Sequence, residues 1–140
     1  MPDRPTALVL DTHAWIWWAI GEPLDDAARA AIGRAASRGA VLVPAISVWE
    51  VAMLVSKGRL AMAMPVGEWC RQALALPGFS LAPLTPDVAI ESCQLPGVIH
   101  PDPADRMIVA TARVLGATLV TRDEKLLAYG AAGHVVTLAA

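Results

Sequence analysis

Residues 100–123 read HPDPADRMIVATARVLGATLVTRD, a helix start, a helix, a tight turn and a buried strand in succession, with an acid near each end. Asp102 suits the N-cap, Pro103 the first helical position, and Asp105 follows the cap by three residues. Met107, Ile108, Ala110, Ala112, Val114 and Leu115 make the helix apolar on more than one side, and Gly116 can end it with a positive φ. Ala117, Leu119 and Val120 then form a short apolar strand that stops at Thr121-Arg122-Asp123. In an α/β unit, ligands collect where strands end at their carboxyl edge and helices begin. Asp105 and Asp123 occupy two such places.

Two more stretches repeat the pattern. The apolar run at 7–10 is too short for a helix and ends in Asp11-Thr12-His13. The run at 41–43 leads into Pro44-Ala45-Ile46-Ser47-Val48-Trp49-Glu50, which places Glu50 in the first turn of the following helix. In a parallel sheet these strand ends share one edge, so Asp11, Glu50, Asp105 and Asp123 are expected to converge. Four carboxylates cannot share a small space as anions without a cation between them. Hard divalent ions with oxygen ligands, Mg²⁺ or Mn²⁺, meet that need.

Each acid also has a purely structural reading. Ser47-x-x-Glu50 fits a capping box, Asp102 is most simply an N-cap, and Asp123 can cap a helix over 124–129. Asp105 can be an anion favoured by the helix dipole. Asp11 is the hardest to explain in this way.

LDTH near the start, SxWE a third of the way along, DPADR followed by IVATA, and TRDE near the end occur in order. Together they resemble the PIN-domain ribonucleases, and most closely the VapC-type toxins of bacterial toxin–antitoxin pairs, over about residues 8–136. The resemblance places the family's acidic quartet on Asp11, Glu50, Asp105 and Asp123, as metal-binding and catalytic residues, with Thr12, Asp102 and Thr121 as neighbours of the site; Arg106, next to Asp105, is a further neighbour that can face a phosphate or pair with an acid. It implies RNA as substrate, a VapB-like antitoxin whose C-terminal segment lies across the groove, and a homodimer. In the mechanism expected of such a site, one or two divalent ions bind the scissile phosphate and make a water acidic for in-line attack. Glu50 is then the acid to orient or deprotonate that water.

The rest of the chain agrees. Its 140 residues suit a single domain over 1–140, with an ordered core of about 7–138 and no linker to divide it. Strands and helices alternate, which predicts an α/β fold with a central, mostly parallel sheet of four to five strands covered by helices on both faces. Expected helices lie near 13–20, 25–37, 47–58, 65–76 and 85–94, with an edge strand at 79–82 and a last strand at 135–138. Trp15 and Trp18 share a helix face while Trp17 points elsewhere; the simpler reading makes these tryptophans core, and the alternative gives one of them to a partner surface. The hydrophobic share of 56% exceeds the ~45–50% usual for a globular domain, which leaves apolar surface for a partner. No apolar run approaches the ~18 residues of a membrane span, and the opening MPDRPTA is no signal peptide, so a cytoplasmic protein is expected. Cys70 and Cys93 lack metal or redox spacing and are expected to be reduced and buried.

A net charge of −2 means that any grip on RNA comes from local clusters; Arg106, His100, Lys57 and Arg59 are the candidates. His13, His100 and His134 have no zinc spacing, and no phosphate-binding glycine loop is present. Two other readings remain open: a metal-dependent phosphatase, although DTH lacks the second aspartate such enzymes carry, and a non-catalytic toxin–antitoxin or RNA-binding module whose acids are only caps.

Overall fold

The computed structural model describes residues 6–99 and 101–140; His100, a candidate substrate contact, lies outside them. Five strands form one sheet: β1 (Leu8–Leu10), β2 (Val41–Pro44), β3 (Phe79–Ala82), β4 (Thr118–Thr121) and β5 (Thr137–Ala139). All neighbours are parallel, in the order β3-β2-β1-β4-β5. The chain winds outward from β1 through β2 to β3, then crosses back to lay β4 on the other side of β1. The strand order therefore reverses beside β1, and in open parallel sheets a crevice opens at that point, outside the carboxyl ends of the strands. Asp11 follows β1 and Asp123 follows β4 there.

Alternation along each strand feeds two cores. Leu8 and Leu10 of β1, Val41 and Val43 of β2 and Val120 of β4 face one side. They pack there with Trp15 and Ile16 of α1 (Thr12–Ile20), Ala28 and Ile32 of α2 (Asp26–Ser37), Val51 of α3 (Ala45–Ser56) and Trp69 of α4 (Val66–Leu74). Val9 and Leu119 face the other side, against Val88 of α5 (Pro86–Cys93), Ile108 and Val109 of α6 (Pro103–Leu115), and Leu126 and Tyr129 of α7 (Glu124–Ala131). Val9, Leu10, Trp15, Val41, Val43, Leu119 and Val120 are fully buried, which is why these strands read as unbroken apolar runs. Of the three neighbouring tryptophans, Trp15 is core and its indole N–H donates to Ala73 O (3.2 Å); Trp17 and Trp18 are half-buried.

Two glycines are required by geometry. Gly116 takes φ +62° and closes α6 by donating to Ala112 and Arg113 carbonyls. Gly78, at φ +82°, lets the chain entering β3 pass α2 so closely that a Cβ there would lie 1.9 Å from Ala36 O.

Some boundaries depart from expectation. α3 begins at Ala45, with Pro44 at its N-cap, because β2 turns straight into helix; the expected start at Ser47 is two residues late. Glu50 therefore belongs to the second turn, and Ser47 is a buried helical residue that caps nothing. β5 begins at Thr137, since Leu119 pairs with Thr137, while Val135 packs into the second core ahead of the strand. Cys70 is buried as expected, but Cys93 is exposed at the end of α5. Among the described residues, no helix is long and apolar enough to cross a membrane.

Candidate active site

Asp11, Thr12, His13, Trp17, Glu50, Asp102, Asp105, Ile108, Arg122 and Asp123 line one cavity of about 440 Å³ at the carboxyl edge of the sheet. All four acids of the predicted quartet are brought there, and Asp102 joins them.

Local structure fixes each carboxylate. Asp11 is the N-cap of α1: its Oδ1 accepts from Ala14 N at 2.8 Å, while its Oδ2 accepts from Thr121 Oγ1 at 2.5 Å. The sequence reading gave Asp11 no capping role, because a strand passing straight into helix hides the cap position between them. Asp102 caps α6, Oδ1 accepting from Ala104 N (2.8 Å) and Asp105 N (3.2 Å). Asp123 caps α7, Oδ1 accepting from Lys125 N (2.8 Å) and Leu126 N (3.1 Å). Three helices thus point their N-termini into the cavity, and their partial positive charge favours anions there. A carboxylate has about four lone-pair sites, so capping and holding a cation do not exclude each other.

Glu50 is held from α1. Thr12 Oγ1 donates to its carboxylate and shares a second hydrogen bond with Ser47 Oγ, 3.0 Å away. Thr121 ties two acids together, since its hydroxyl donates to Asp11 and accepts from Asp123 N at 3.0 Å. The two threonines named as site neighbours therefore each hold one carboxylate in place, Thr12 that of Glu50 and Thr121 that of Asp11.

The electrostatics follow from this crowding. Burial raises the Asp11 pKa above the ordinary aspartate value; the Thr121 and Ala14 hydrogen bonds oppose it. Burial also raises Glu50, with the Thr12 hydrogen bond opposing and the Asp102 charge adding to the rise. Asp105 is pushed up to about 7 by burial, then by the charges of Asp102, Glu50, Asp123 and Asp11. Desolvated carboxylates whose charges raise one another's pKa values are relieved by a cation placed between them. Among the described residues, no three His, Cys, Asp or Glu side chains already stand together as a ready-made metal cage. Mutually repelling anions are expected to stand apart in this way. The donor set itself, all carboxylate oxygen, suits a hard divalent ion and not zinc.

Arg106 is not brought to the cavity: its Nε donates to Ser92 O (2.9 Å), tying α6 to α5. Lys57 and Arg59, beyond the far end of α3, are not in its lining either. His13, Trp17, Ile108 and Arg122 are in it and were not singled out. The one sequence signal for Arg122 was its place between Thr121 and Asp123. A smaller apolar hollow of about 310 Å³, walled by Ile46, Trp49, Met53, Pro103 and Ala104, adjoins the cavity and shares Glu50 and Asp102 with it.

A parallel sheet ordered 3-2-1-4-5 with acids gathered at its switch point defines a class, and the PIN domain model matches residues 8–132. The chain belongs to the PIN-domain family. It is 39% identical over 123 residues to Ribonuclease VapC22 of Mycobacterium tuberculosis, covering 86% of this chain and 90% of that protein. Its fold is similar to that of VapBC2 from Rickettsia felis, solved bound to a DNA fragment from its promoter, with TM-score 0.71 and 16% identity over 95% of this chain and 98% of the matched one. It is also similar to VapBC-5, a member of the VapBC family of toxin–antitoxin systems from Mycobacterium tuberculosis, with TM-score 0.62 and 18% identity over 97% of this chain and all of the matched one.

Proposed function

We propose that this chain is an endoribonuclease dependent on a divalent cation, Mg²⁺ or Mn²⁺, and the toxin of a toxin–antitoxin pair. The observation that carries this reading is the cavity itself: five carboxylates line it, and Asp11, Glu50 and Asp105 all have raised pKa values. The 39% identical relative, named a ribonuclease, supports RNA as the substrate, and RNA in turn puts the activity in the cytoplasm.

Asp11, Asp105 and Asp123 would hold the cation, with Glu50 beside them. The cation supplies Lewis acidity and positive charge for a phosphodiester and the attacking water. Glu50, its carboxylate oriented by Thr12 and its proton affinity raised by burial, takes the proton of that water. Oxygen attacks phosphorus in line, the bond to the 3′ oxygen breaks, and the products are a 5′-phosphate and a 3′-hydroxyl. Thr121 keeps Asp11 and Asp123 in register throughout.

The toxin–antitoxin complexes that share the fold support a VapB-like antitoxin as partner. Trp49 and Ile90, each 56% exposed, and Val98, at 96%, supply apolar surface for that partner and for a second copy of the chain in a homodimer.

The test is cleavage of single-stranded RNA by the purified protein. We expect 5′-phosphate ends in Mn²⁺ and none in EDTA. Asp11→Asn or Asp105→Asn should lower the rate at least about a hundredfold, the upper end for loss of an outer partner of a metal. Turnover of p-nitrophenyl phosphate in place of RNA would make the chain a phosphatase, and metal-independent binding without cleavage would make it a binding module.

A further inference from the structure

Five carboxylates line the cavity, yet among the described residues Arg122 is the only lysine or arginine in its lining. Among the described residues Arg122 forms an ion pair with none of these acids. Its guanidinium is held away from the five acids: Nε donates to Ala140 O (3.0 Å), Nη2 donates to Pro23 O (3.2 Å), and Cζ lies 4.0 Å from the centroid of the Trp17 ring. The side chain is otherwise exposed.

This arrangement is informative because an arginine beside carboxylates ordinarily neutralises one of them, often with two parallel hydrogen bonds. Here two main-chain oxygens and an aromatic face fix the group flat, and none of the five acids in the cavity is paired with it. A guanidinium has five N–H donors; two are spent on the described residues, which leaves three on a fixed plane in the cavity lining. Trp17 is itself braced by His13, whose ring stands 5.7 Å away at 44°. A preorganised planar cation with donors to spare matches the oxygens of a phosphodiester. Arg106, tied to Ser92, cannot play this part.

We propose that Arg122, flattened on Trp17, is the substrate-positioning residue that receives a backbone phosphate of the RNA next to the one cleaved. The proposal rests on the ribonuclease reading. It adds a polarity to the site, with acids at the centre and one fixed positive charge at the Trp17 side, so the strand is drawn in along that side.

The test separates the two readings. Cleavage of single-stranded RNA in Mn²⁺ is measured for the parent, Arg122→Gln, Arg122→Lys and Trp17→Leu. Binding of a labelled single-stranded RNA is followed by fluorescence anisotropy across a salt titration, in the Asp105→Asn background so that nothing is cut. A lost charge-assisted contact should lower kcat/KM about tenfold to a hundredfold in Arg122→Gln, most of it through KM. The slope of log affinity against log salt should fall by about 0.7, the share of one phosphate on a single strand. Arg122→Lys keeps the charge and should recover the slope but only part of the affinity. Trp17→Leu, which leaves the charge and frees the plane, should weaken binding with the slope intact. If Arg122→Gln melts lower but binds RNA with the parent's slope and KM, Arg122 is only a staple for the chain near Ala140 and the proposal is overturned while the ribonuclease reading stands. A parent that neither cuts nor binds RNA overturns both.

Discussion

Asp105 has its pKa raised by burial and by the charges of four other carboxylates. Its pKa of about 7, against an ordinary 3.8, fixes a sign for stability. Above pH 7 the carboxyl is ionised in both states, and the native state bears the full cost of a desolvated charge among others. As the pH falls through about 7, the folded chain takes up a proton that the unfolded chain, with its lower pKa, does not. Without metal, then, the protein should gain stability between about pH 8 and pH 5, and the upward shifts of Asp11 and Glu50 act in the same direction. Asp105→Asn should be at least as stable as the parent at neutral pH and should flatten this slope. Urea midpoints in EDTA at both ends of that range would show it; a parent less stable at the acid end would mean that Asp105 is an ordinary helix-dipole anion. Residues also mark where sequence reading stops. Asp11, Glu50, Asp105 and Asp123 were legible because strand ends and helix starts are local signals. Arg122 was not, because what matters in it is a side chain held by Trp17, Pro23 and Ala140, two of them about a hundred residues away in the chain.

Helix N-termini are the elements that build the cavity, and the acids at α1, α6 and α7 serve local structure and site at once. Asp102 lets the two duties be separated. Asp102→Asn and Asp102→Ala both remove a charge from beside Asp105, so the relief of repulsion is common to them. Only alanine also leaves the Ala104 and Asp105 amides without their acceptor. The alanine variant should therefore be less stable than the asparagine variant by about 1 kcal/mol. Denaturant unfolding of the pair in EDTA measures that difference, and equal midpoints would show that the cap is idle. Elements were legible in the sequence to the extent that their ends carry local chemistry. Thr85 caps α5 by accepting from Val88 N (3.2 Å), and Gly116 ends α6, both as read. Where the signal was tertiary it misled: the Ser47–Glu50 spacing imitates a capping box, yet Ser47 is buried against Thr12 in a helix already under way.

At the scale of the whole molecule, the sheet holds in one place charges that repel, and a cation should act as a fold stabiliser. Mn²⁺ at a hundredfold excess over its Kd should add about 2.7 kcal/mol to the parent and much less to Asp105→Asn, seen as shifts in melting temperature relative to EDTA. A parent whose melting ignores the metal would leave the acids as scattered caps. The order of the strands has another consequence, one of timing. Strand β1 is made early, but one of its two neighbours is β4, and Asp11 meets Thr121 across 110 residues of chain. Asp11 and Glu50 are made long before the strand that aligns Asp11 with Asp123. No fragment ending before β4 can assemble the cavity, because the Thr121 hydroxyl that aligns Asp11 lies within that strand and Asp123 lies beyond it.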